Sequence, residues 1–100
     1  MLYQLHNLPQ QITAAKETQI VLQLPDHSSA GYCWHIEQMP EGVIEILSLK
    51  LEKPDGVIGS GKFYLCFSVR NNGCLRLYLK RDWENIFYHD TTLIIQCKEK

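Results

Sequence analysis

The 100-residue sequence predicts an all-β protein, an immunoglobulin-like antiparallel β-sandwich of about seven strands forming one domain over residues 1–100. Three observations predict it. Apolar residues recur with a period of two, as half-buried strands require. Turn-forming clusters interrupt these runs every ~8–12 residues, the spacing of a sandwich. Hydrophobic residues make up 45% of the chain, enough to bury one ordinary core.

Taken in order, residues 9–18 carry the one hint of helix, short and without strong caps. Ile20, Leu22 and Leu24 then share a face, with Gln19, Val21 and Gln23 opposite. Pro25 to Gly31 is a loop. Tyr32, Trp34 and Ile36 alternate with Cys33, His35 and Glu37, which directs Trp34 toward the core. Met39-Pro40-Glu41-Gly42 and Pro54-Asp55-Gly56 are turns. Phe63, Leu65, Phe67 and Val69 make the next apolar face, and Asn72-Gly73 after it suits a type I′ hairpin turn. Leu75, Leu77 and Leu79 form another such face, and Leu93, Ile95 and Cys97 oppose Ile94 and Gln96 in the last strand. The Cys-Trp-Cys spacing of antibody domains is missing, so the likeness to immunoglobulins is one of architecture.

Ten basic and eleven acidic residues leave no field to attract nucleic acid or an anionic membrane. No run approaches the roughly 18 apolar residues that span a bilayer. Met1 to Asn7 has neither a basic start nor a continuous apolar stretch, so the expected location is the cytoplasm, or a secreted or periplasmic one if a leader has been removed. Cys33, Cys66, Cys74 and Cys97 contain no C-x-x-C pair and read as free thiols of a reducing compartment.

Several motifs mislead. Gly56 to Lys62 matches the first seven positions of a phosphate-binding loop, but Phe63 stands where a magnesium-binding hydroxyl is needed and a strand follows in place of a helix. Gly31-Tyr32-Cys33-Trp34 resembles the nucleophile segment of papain-type proteases, whose cysteine sits at a helix N-terminus; Cys33 lies within a strand. Cys33 and His35 share a strand face, yet two ligands do not make a zinc site. No catalytic residue, metal or cofactor is expected, and the chain reads as a non-enzyme.

Three segments carry a resemblance. Ile20-Val21-Leu22-Gln23-Leu24-Pro25-Asp26-His27-Ser28-Ser29-Ala30-Gly31-Tyr32-Cys33-Trp34 looks like the strand, loop and strand bearing N-P-T-T-G-Y/F-x-W in one inhibitor family. Gly56 to Gly61, leading into Phe63, is similar to that family's G-x-G-G loop before a strand, and Leu79-Lys80-Arg81-Asp82-Trp83-Glu84 to its R-P-W segment after a strand. In order and spacing, from about residue 18 onward, the chain resembles the chagasin-like inhibitors of cysteine peptidases. The resemblance implies a monomeric sandwich whose three loops gather at one end and enter the active-site cleft of a papain-like cysteine peptidase, of the host or of the organism itself. Ser28, Ser29, Ala30, Gly31 and Tyr32 would make the first contact, Gly59, Ser60 and Gly61 the second, and Arg81, Asp82 and Trp83 the third. The sequence departs from the family at His27–Ala30, which lacks the proline, and at Asp82, which replaces another; a less rigid loop loses more entropy on binding. The alternative is a sandwich that recognises an unrelated protein, including a relative that no longer inhibits.

Overall fold

The inward faces of four strands, paired in twos, make the centre of the molecule. A computed structural model of the chain describes residues 2–26, 31–52 and 61–98. Within these, β1 (Leu2–Gln4) leads through a single 3-10 turn (Leu5–Asn7) to β2 (Gln11–Ala15), followed by β3 (Gln19–Pro25), β4 (Tyr32–Met39) and β5 (Ile44–Glu52). The chain ends with β6 (Lys62–Val69), β7 (Gly73–Arg81) and β8 (Phe87–Lys98). Two four-stranded sheets result, ordered β1-β3-β6-β5 and β2-β8-β7-β4. The expected sandwich is present, with eight strands among the described residues.

Alternation sets the layers. Ile20, Leu22, Leu24, Leu65, Phe67 and Val69 of the first sheet face Leu75, Leu77, Leu79, Leu93 and Ile95 of the second, and each of these is at most 1% exposed. Residues opposite one another in an antiparallel ladder share a face. The pairings Ile20↔Phe67 and Leu22↔Leu65, and Leu75↔Leu93 across the other sheet, therefore place like with like. All four cysteines are free thiols.

The edges differ from a purely antiparallel sandwich. β1 runs parallel to β3 and β2 parallel to β8, so one N-terminal segment borders both sheets on the same flank. Residues 9–18 are therefore not helical. Ile12 and Ala14 point inward at 3% and 8% exposure, and the stretch ends in a turn where Glu17 takes φ +72° and the Thr18 amide donates to the Ala15 carbonyl. The alanines favour a helix only weakly, and burial against β8 outweighs that preference.

Two β-bulges matter below. One lies in β5 between Ile46 and Ser48, and the other lies where β7 meets β8. The β5 bulge reverses the parity of the strand: Ile44 and Ile46 pair with inward residues of β6, as do Leu49 and Leu51 after it. Ile46, Leu49 and Leu51 belong to the edge strand of their sheet and are 44–49% exposed.

Asn72-Gly73 is not a type I′ turn, because neither residue has positive φ. The Arg70 and Asn71 amides both donate to the Val43 carbonyl, tying this turn to residues 40–43. Gly73 opens β7, and a Cβ there would lie 2.7 Å from the Met39 carbonyl oxygen and against the Val43 side chain. Space, rather than φ, demands the glycine. Gly73→Ala should lower the free energy of unfolding by about 1–3 kcal/mol, the usual cost of overpacking, and a urea titration would show it as a lower midpoint with an unchanged slope.

Candidate functional site

The strand ends at one pole of the sandwich are held together by ladder pairs, a backbone hydrogen bond and one indole N–H. Ser28, Ser29, Ala30, Gly59 and Ser60 lie outside the described residues; Gly31, Tyr32, Gly61, Arg81, Asp82 and Trp83 lie within them. Pro25 and Lys62 are partners in the ladder, and beyond them the Asp26 amide donates to the Gly61 carbonyl at 3.2 Å. Tyr32 pairs with Arg81 in the other sheet. A bond between the sheets joins the two halves: the Trp34 indole N–H donates to the Pro25 carbonyl oxygen at 2.9 Å. Trp34 is half-buried against the core, and its ring stacks on His89 with centroids 5.9 Å apart. Asp26, at 8% exposure, is one of the few buried polar residues.

Gly31 and Trp83 approach closely at this pole. Gly31 has φ +87°, a conformation that glycine adopts without penalty. A Cβ built there would come 2.6 Å from Cη2 and 3.3 Å from Cζ2 of Trp83. The indole therefore lies across the bare backbone of Gly31 while 72% of Trp83 remains exposed. Gly31 thus has a reason within the chain to lack a side chain: the ring already lies there.

Arg81 organises the third loop. Its Nη1 donates to Glu84 Oε1 at 3.0 Å across a turn closed by the Glu84 amide and the Arg81 carbonyl. Its guanidinium lies 4.4 Å from the centre of the Tyr32 ring and 6.0 Å from that of Trp83. A cation held over two ring faces gains from both quadrupoles and keeps the rings from turning freely. Asp82 stands at the proline position of the resembled motif; its carboxylate points away, 3.7 Å from His35 Nε2 on the outer face of the sheet.

That outer face carries a polar and aromatic ladder, which sequence reading missed because its members come from three strands. His35 stacks on Tyr78 at 4.9 Å, and the Tyr78 hydroxyl donates to Glu37. Arg76 donates twice to Asp90, at 3.0 and 2.9 Å, beneath the ring of Phe87. The two hydrogen bonds from Arg76 hold the Asp90 carboxyl below its ordinary value of 3.8. Cys33 and His35, weighed above as metal ligands, share this face, and no group of three or more metal-binding side chains occurs among the described residues.

The whole chain resembles two solved structures. The cysteine protease inhibitor EhICP2 from Entamoeba histolytica superimposes with a TM-score of 0.80 at 17% identity, over 97% of this chain and 94% of that one. Amebosin does so with a TM-score of 0.74 at 21% identity, over 97% and 96%. The chain has the fold of a cysteine protease inhibitor. No protein-family model and no curated protein sequence matches it. The sandwich implied by the resemblance to chagasin-like inhibitors is thus the one observed, over nearly the full length of both chains.

Two outcomes test the geometry. Gly31→Ala should cost about 1–3 kcal/mol of stability, read by chemical unfolding, because the alanine must hold positive φ and displace the indole. Stability contributed by the Arg76–Asp90 pair is complete above about pH 4 and fades as pH falls through the depressed carboxyl value. Asp90→Asn should therefore narrow the difference between urea midpoints measured at pH 7 and pH 3.

Proposed function

We propose that the chain is a reversible, non-covalent inhibitor of papain-like cysteine peptidases that acts by filling the active-site cleft with the loop end of the sandwich. The observation that carries this reading is the Trp83 indole, exposed yet braced by Gly31 beneath it and by the Arg81 guanidinium beside it. A monomeric domain rarely leaves a tryptophan so exposed unless it binds something, and a braced ring loses little entropy when it does. The structural likeness to a cysteine protease inhibitor supplies the class of partner. In this reading Gly31, Tyr32, Gly61 and Arg81 to Trp83 line the contact, and Ser28, Ser29, Ala30, Gly59 and Ser60, outside the described residues, are proposed to contribute to it.

The mechanism is occlusion. Trp83 supplies a large, rigid apolar anchor, and Gly31 keeps the first loop thin where it must enter a narrow cleft. Arg81 contributes by positioning Trp83. No bond is made or broken, so inhibition is competitive and reversed by dilution. A standard interface of this kind buries on the order of 800 Å² on each partner.

Titration against papain and a cathepsin-type peptidase should give competitive inhibition in the micromolar range or tighter; no inhibition at tens of micromolar would refute the proposal and leave a recognition module for some other protein. Trp83→Ala should raise the inhibition constant at least about tenfold, as loss of a hot-spot residue does.

A further inference from the structure

Exposed apolar surface at the loop end does not stop at Trp83. Ile86 is 72% exposed, Tyr88 52% and Phe87 41%. Phe87 is accounted for within the chain, edge-on to Tyr78 at 5.3 Å and covered by Arg76. Tyr88 also has ring neighbours, Tyr32 at 5.1 Å and His89 at 4.9 Å, but it packs toward the pole that carries Trp83 and stays half exposed, and Ile86 beside it is the most exposed of the three.

The bulge at the start of β8 explains their display. Leu79 pairs with His89, but Lys80 pairs with Phe87, so Tyr88 is the extra residue. With regular alternation Tyr88 would join Asp90 and Tyr78 on the outer face of the sheet. The bulge turns it instead toward the loop end, where its ring meets that of Tyr32 at 5.1 Å and 62°. Tyr32 is the residue under the Arg81 guanidinium, so Tyr88 is continuous through Tyr32 and Arg81 with Trp83.

We infer that Ile86 and Tyr88 form a further contact element, which rests on an apolar shelf of the target peptidase beside its cleft and sets selectivity among such enzymes. The inference builds on the inhibitor reading above. Its separate basis is the bulge, which spends a ladder position to aim one aromatic ring along the same surface. Ile86, a branched aliphatic in a polar loop between Asn85 and Phe87, requires an apolar counterpart; a charged rim on the partner would reject it.

The test measures binding to two immobilised cysteine peptidases of different rim sequence, using the full chain, Ile86→Asp, Tyr88→Ala and Trp83→Ala, with thermal unfolding of each. Ile86→Asp should weaken binding about tenfold to at least one peptidase and change the ratio of the two affinities, with the unfolding midpoint unchanged. Trp83→Ala should weaken both by similar factors. If the parent chain binds and Ile86→Asp binds equally well to both, the contact element is refuted while the inhibitor reading stands. If the parent chain binds neither, both fall. A parent chain that is dimeric by light scattering, and made monomeric by Ile86→Asp, would give the surface to a second copy and also overturn the inference.

Discussion

Everything in this molecule hangs on two antiparallel ladders, β3 with β6 and β7 with β8, whose inward side chains meet across the sandwich. Eleven of these residues are essentially without solvent contact. Burial at roughly 25 cal/mol per Å² makes their alternation the dominant favourable contribution, and a one-residue slip in either ladder would turn the leucines to water. The register is thereby fixed, and so are the positions at which the chain leaves the sheets. Pro25, Lys62, Tyr32 and Arg81 stand at one pole because the core pairs place them there.

This dependence explains how much the sequence reveals. The strands with unbroken alternation, at Ile20–Leu24, Phe63–Val69, Leu75–Leu79 and Leu93–Cys97, are legible because two-period burial is written directly into residue order. β5 is hidden, because its bulge switches the inward residues from Ile44 and Ile46 to Leu49 and Leu51, and no single period describes it. β2 is hidden for another reason. Its inward pair, Ile12 and Ala14, is small, and its partner lies at the far end of the chain. Asn72-Gly73 misleads because the dipeptide fits a hairpin turn by preference, whereas Gly73 is needed for the room that Met39 and Val43 leave.

The site divides in the same way. Gly31-Tyr32 and Arg81-Asp82-Trp83 are visible in sequence as motif fragments. Their relation is not, because nothing linear states that the indole of one covers the backbone of the other. Tyr88 and the Arg76–Asp90 ladder were invisible, being products of register and of strands brought side by side. Trp34 joins both levels: read as a core residue, it also ties the end of β3 to the second sheet through its indole N–H. A polar bond at the edge of an apolar core thus fixes the spacing of the pole that carries the exposed rings.

The parallel pairing of β2 with β8 reaches past the site to the order of assembly. Gln11 lies beside Ile94 and Ala15 beside Lys98, so the early strand has no neighbour in its own sheet until almost all of the following chain exists. During synthesis, Ile12 and Ala14 must wait in water while the later strands emerge, and closing so long a loop comes at an entropic cost before any contact is gained. β1 finds its partner β3 early in the chain, so it is β2 alone that must wait for β8 before it can seat. The second sheet is complete only when β2 and β8 meet.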